Sequence, residues 1–126
     1  MHRPVHFEIH ASDPERAVTF YTTVFGWSFE RCGQLPYWVI STGHGLGIDG
    51  GLLPREGPEP EEGAPVNAFP NTIDIPDLDS ALTTVGQMGG KVVVPRYAIP
   101  GAGWLAYCKD TEGNIFGLIQ NDKKAS

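Results

Sequence analysis

Two cysteines, Cys32 and Cys108, are too few for a disulfide framework in a chain of 126 residues. Runs of lysine or arginine are also missing, apart from the pair Lys123 and Lys124 near the end. Nucleic acid is therefore excluded as an expected partner, because phosphate binding needs a basic face. No apolar stretch is long enough to span a bilayer, and the opening residues MHRPVHFEIH carry no apolar signal segment. A reduced, cytoplasmic setting is the expectation, with no membrane partner. The formal charge is −6, but Glu56, Glu59, Glu61 and Glu62 supply much of it, so it does not by itself imply a cationic substrate.

What is abundant is turn chemistry. The 16 glycines and 11 prolines point to short strands with frequent turns. At 40% hydrophobic and 19% charged, the composition is globular, and the length fits one ordinary domain with a real core, 1–126.

The stretch Val5 to Trp27 occurs twice in outline. From Val5 to His10 apolar and polar residues alternate, with Val5, Phe7 and Ile9 on one side and His6, Glu8 and His10 on the other. This period of two marks a half-buried strand. Asp13 followed by Pro14 is an N-cap with proline at the first helical position. Ala17, Phe20, Tyr21, Val24 and Phe25 continue as an apolar helical stripe, and Gly26 supplies the left-handed stop. Moved by 64 positions, Ile9 falls on Ile73, Asp13 on Asp77 and Gly26 on Gly90. Further on the offset becomes 66, with Trp38 on Trp104, Gly51 on Gly117 and Leu52 on Leu118. Two copies mean paired modules rather than a solenoid.

Each module reads strand, helix, three strands. The first covers 4–53, with later strands at Trp27–Arg31, Tyr37–Thr42 and near Gly47–Leu53. Residues 54–66 form an acidic proline- and glycine-rich linker. The second module covers 67–121. Its helix is capped by Asp77, a strand follows at Lys91–Val94, and Pro95–Gly103 is expected to form a long turn or lid. A hairpin around Asp110–Gly113 closes the module, with Lys109 opposite Asn114 and Ala106 opposite Gly117.

Strand, cap and helix ending in FYTTVFGW, the duplication, and the late hairpin WLAYCKDTEGNIFGLIQ together resemble the vicinal oxygen chelate superfamily. That group includes glyoxalases, bleomycin- and fosfomycin-resistance proteins and extradiol dioxygenases. The resemblance covers roughly Pro4 to Gln120. It implies an α+β fold in which two tandem βαβββ modules form a cupped, pseudo-twofold mixed sheet with helices on the outer face. It also implies a homodimer. In metal-dependent members each module gives one ligand from its first strand and one from its last. Carried over, those four positions are His6, Gly51, Pro70 and Gly117. One donor of four does not make a catalytic metal site, so no metal and no other cofactor is expected there. Asp49, two residues from Gly51 on the same strand face, is the nearest substitute ligand.

The pairing assumed for the hairpin places Trp104, Ile115 and Ile119 in the cup. The repeat adds Trp38 and Ile40, and the first strand adds His6 and Glu8. An apolar wall with a few polar groups suits a small planar or apolar organic molecule. The expected ligand contacts are thus His6, Glu8, Trp38, Ile40, Asp49, Trp104, Ile115 and Ile119. The alternative is a lyase or isomerase in which His6 and Glu8 act as acid and base, or in which a divalent metal binds through displaced ligands. His6 is equally open to a structural role, Glu8 to a salt bridge, and both tryptophans to the core. Cys108 has no neighbouring base in sequence, so a nucleophilic role is not expected.

Overall fold

The computed structural model describes residues 3–65 and 69–126. The expected junction between linker and second module, at 66 and 67, lies outside the described residues. The chain divides into two compact units, Met1–Glu59 and Pro60–Ser126, with the division inside the expected linker.

The first unit comprises β1 (His6–Ala11), α1 (Pro14–Phe25), β2 (Ser28–Arg31), β3 (Trp38–Ser41) and β4 (Asp49–Pro54). Its sheet has the order β1-β4-β3-β2, with β1 parallel to β4 and the other pairs antiparallel. The Asp13 side chain accepts from Arg16 N at 3.2 Å, which satisfies one free donor of the first turn. Gly26 ends the helix at φ 72°, its N–H donating to Thr22 O. The helix packs on β1, β2 and β4. Ala17, Phe20 and Tyr21 from the helix meet Ile9, Ala11, Ile40 and Leu52 from the sheet, all buried. Trp27 extends this core: its ring stacks on Tyr21 with centroids 5.2 Å apart and touches Phe7 at 5.7 Å.

The second unit repeats the plan with β5 (Thr72–Asp74), α2 (Leu78–Gln87), β6 (Lys91–Ile99), β7 (Gly103–Lys109) and β8 (Ile115–Asn121). Its sheet order is β5-β8-β7-β6, again with the first and last strands parallel. Asp77 caps α2 through Ser80 N at 3.1 Å, and Gln120 Oε1 accepts from Leu78 N at 2.8 Å. The α+β class and the two βαβββ modules are as expected. In each unit the helix covers one sheet face and leaves the other open.

Three expectations change. The segment Pro95–Gly103 is not a long turn. β6 runs to Ile99, and its pairing with β7 shifts register between Val92 and Val94 and again between Val94 and Tyr97. Such irregularities let an edge strand hold Pro95, which has no N–H to give the ladder. Only a tight turn remains before β7, closed by Ala102 N donating to Ile99 O and Gly101 N to Ala125 O.

The second change is the register of the last hairpin. Lys109 lies opposite Ile115, not Asn114, and Ala106 lies opposite Leu118, not Gly117. The loop is five residues long because Asp110 organises it. Asp110 Oδ1 accepts from both Glu112 N and Asn114 N at 2.8 Å, and Gly113 turns at φ 80°. A shift of one residue moves one strand's side chains to the other face. Trp104, Ala106 and Cys108 therefore share a face with Phe116, Leu118 and Gln120. Ala106, Cys108 and Leu118 are fully buried there. Leu105 and Tyr107 take the open face with Ile115, Gly117 and Ile119.

The third change is in the first unit. Trp38 lies opposite Leu52 and Ile40 opposite Gly50. Ile40 and Leu52 are fully buried, so Trp38 and Ile40 also belong to the helix side. The two tryptophans are not equivalent by pairing. With Leu52 matched to Leu118, the counterpart of Trp38 is Ala106. The loop 110–114 is two residues shorter than the loop 42–48, so an offset of 68 at the third strand becomes 66 at the last. Each tryptophan instead lies under an arginine, Arg31 at 5.0 Å from the Trp38 ring and Arg96 at 4.4 Å from that of Trp104. Arg96 also pairs with Asp79 at 2.7 Å, and Trp104 Nε1 donates to Asp122 Oδ2 at 3.2 Å.

Candidate functional site

Strand alternation fixes what the open face of the first sheet presents. Glu8, Gly51, Val39 and Glu30 form one row across all four strands. His6 and Asp49 form the neighbouring row on β1 and β4. His6, Glu8 and Asp49, all expected at the site, are thus brought onto one exposed face.

Tyr37 completes this face. Its hydroxyl lies 3.4 Å from His6 Nε2. To reach there its ring crosses Gly51, and a Cβ built on Gly51 would collide with Tyr37 Oη and Cζ. Glycine at 51 is therefore what lets the phenol lie flat on the strand and meet the imidazole. Glu8 Oε1 lies 3.4 Å from His10 Nε2, both roughly half exposed, so this contact contributes little to stability. The Asp49 carboxylate holds the loop that precedes it, accepting from Thr42 N at 2.8 Å and Thr42 Oγ1 at 3.1 Å. This loop contains His44 and the glycines at 43, 45 and 47. Together with Asp49 it encloses a shallow polar hollow.

The four positions that the resemblance points to, His6, Gly51, Pro70 and Gly117, do not offer the donors that a divalent ion needs. Gly51, Pro70 and Gly117 have no donor side chain. The space in which a side chain at 51 would begin is filled by Tyr37. A Cβ at Gly117 would come within 3.0 Å of Thr72 Oγ1 and 3.3 Å of the Tyr107 ring. Among the described residues, no three His, Cys, Asp or Glu side chains converge on a point that could hold a metal.

The second sheet's open face is of a different character. Tyr97, Leu105 and Ile119 lie in one row, and Tyr107 and Gly117 in the next, with Ile115 beyond. Of the expected apolar contacts, Ile115 and Ile119 are on this face and Trp104 is on the opposite one. Two tyrosines and a leucine stand where tryptophan was expected. The one-residue loop difference at Asp110 would have revealed them. Nothing local in the sequence marks Tyr37, whose role depends on the missing Cβ of Gly51 on another strand.

Both cysteines are free thiols. Burial pushes the Cys108 thiol up to about 11, the wrong direction for a nucleophile. A raised acid pKa favours the folded state below the unfolded value and loses that contribution as the thiol ionises. Stability is therefore expected to fall by about 2 kcal/mol between pH 9 and 11. Urea midpoints at those two pH values, compared with Cys108→Ala, isolate this part.

A family model for the bleomycin resistance protein-like N-terminal region matches residues 3–43. A glyoxylase-like domain-containing protein of Didymella fabae is 32% identical over 121 residues, covering 93% of this chain and 92% of that protein. A candidate glyoxylase of Mycobacterium bovis, CFP32, is 27% identical over 120 residues. That match covers 92% of this chain and 44% of CFP32, so the chain spans less than half the length of this relative. Among solved structures, the fosfomycin resistance protein FosX of Listeria monocytogenes, complexed with Mn(II) and sulfate, superposes with a TM-score of 0.74. The superposition covers 97% of this chain and 92% of FosX at 14% identity, a likeness of fold.

Proposed function

Because the chain belongs to the glyoxalase and bleomycin-resistance family of the vicinal oxygen chelate superfamily, we propose that it binds a small, planar or apolar organic molecule without the family metal. The observation that carries this reading is Tyr37. Its hydroxyl fills the start of one expected ligand position and pairs with His6, the one donor left of four. A paired phenol and imidazole can donate to or accept from a ligand oxygen. The open face of the second sheet has the composition to stack on a planar ring, through Tyr97 and Tyr107 flanked by Leu105, Ile115 and Ile119. A homodimer in the cytoplasm, acting by sequestration without nucleic acid or membrane, is part of the same proposal. Consistent with it, no helix among the described residues is long and apolar enough to cross a membrane.

A second reading draws on the two hydrogen-bonding pairs side by side on β1, His6 with Tyr37 and Glu8 with His10. That arrangement has the groups an acid–base lyase or isomerase needs.

A set of aromatic fragments followed in ¹⁵N–¹H spectra tests the binding reading. Shifts are expected to cluster on the open face of the first sheet, at Glu8, Tyr37 and Gly51, and His6→Ala should weaken them. Binding elsewhere, with these amides unmoved, contradicts it. Turnover of a bound fragment that disappears in both His6→Ala and Glu8→Gln would favour the enzyme.

A further inference from the structure

We infer that Tyr37, seated on Gly51, sets the specificity of the first sheet's open face, and that this face selects neutral or cationic ligands bearing a hydroxyl or carbonyl oxygen over anionic ones. The inference rests on the binding reading above and adds the chemical class of the ligand.

The charge argument comes from strand register. Glu8 and Glu30 stand in one row across the sheet, and Asp49 stands in the next. All three are exposed. No lysine or arginine occupies a strand position on this face. Arg31, on β2, alternates to the other side, where its guanidinium covers Trp38. Arg55 follows β4 and donates to His10 O at 3.0 Å, at the far end of β1 from His6. A ligand carboxylate or phosphonate laid on this face would meet like charges with no permanent counter-charge. An ammonium group beside Tyr37 would meet the Glu8 or the Asp49 carboxylate, while Glu30, three strands away at about 14 Å, adds to the field of the same sign. A neutral ligand would feel neither.

The oxygen argument comes from Tyr37. Its hydroxyl is held beside His6 Nε2 at 3.4 Å, a long contact that a ligand oxygen can enter or bridge. The ring is half-buried and its end is positioned by the bare backbone of Gly51. The anchor is therefore pre-placed, and little side-chain freedom remains to be lost on binding.

Three phenols of similar size test this: tyramine, which is cationic, 4-ethylphenol, which is neutral, and 3-(4-hydroxyphenyl)propionate, which is anionic. Each is titrated at low salt into the full chain, with binding read from amide shifts. Tyramine and 4-ethylphenol are expected to bind about tenfold or more tightly than the propionate, and 0.5 M salt should narrow the gap between tyramine and propionate. Tyr37→Phe should weaken the first two about threefold to tenfold, the effect of one neutral hydrogen bond. Glu8→Lys should raise the propionate to or above tyramine, a change of rank that loss of fold would not produce. Gly51→Ala, which displaces the ring, should reproduce Tyr37→Phe. Equal or tighter binding of the propionate, or unchanged affinities in Tyr37→Phe, would overturn the inference while leaving the binding reading in place. If none of the three shifts any amide of this face, both are overturned.

Discussion

Replacing Ala106 with glutamate is expected to leave no folded second unit, while the same replacement at Leu105 leaves the sheet intact. Ala106 is fully buried opposite Leu118, on the face covered by α2. A carboxylate there has neither water nor a partner. The penalty of several kcal/mol is comparable with the whole stability of a small domain. Leu105 is half-buried on the open face, in a row with Tyr97 and Ile119. A glutamate there reaches water and gives up some apolar contact, at a cost of about 1 kcal/mol. The pairing with Lys109 opposite Asn114 would put Leu105 inside and Ala106 outside, and would reverse the two results. Far-ultraviolet circular dichroism and urea titration of both variants decide between the registers.

The second large effect separates two adjacent glycines of β4. Gly50→Ala is expected to destabilise by about 2–3 kcal/mol, because the new methyl meets immovable neighbours. Its Cβ would come within 2.5 Å of the Phe7 carbonyl oxygen and 2.8 Å of the Phe7 ring. Gly51→Ala is expected to cost about 1 kcal/mol, since it meets only the outer end of Tyr37, which can swing away. Its main consequence is local: the hydroxyl leaves His6. Chemical denaturation gives the stability difference, and the ¹H–¹⁵N resonances of the His6 side chain report the broken contact. Equal destabilisation by both variants would mean that Tyr37 is as fixed as the backbone, and that it is core rather than site.

Much of the fold was legible because its signals are local. Asp13-Pro14 and Asp77 start helices by offering an oxygen to orphan N–H groups, and Gly26 stops one by adopting a positive φ. Alternation from Val5 to His10 correctly assigned which side of β1 is buried, and hence that His6 and Glu8 share the open face. The duplication then carried the whole βαβββ plan. What was not legible depends on single side-chain choices. Asp110 bonds the backbone of Glu112 and Asn114, lengthens a loop by one residue, and so exchanges Trp104 for Leu105 and Tyr107 on the open face. Pro95 reads as a strand breaker, yet the edge strand absorbs it through shifts of register. Trp38 and Trp104 align by type in the sequence and are unrelated by pairing, because the two hairpin loops differ in length. Tyr37 is the clearest case. Its contact with His6 spans three strands and exists because Gly51 has no side chain.

The central proposal is that this chain keeps the family fold and carries the Tyr37–His6 pair, with no resident metal, at positions that the resemblance points to for metal ligands. Metal content tests it most directly. Protein purified without chelator is dialysed against Mn(II), Zn(II) and Ni(II) in turn, freed of excess ion, and measured by plasma mass spectrometry beside His6→Ala. The account predicts far less than one ion per chain, with the same trace level in both proteins. One ion per chain in the unaltered protein, lost in His6→Ala, would contradict it.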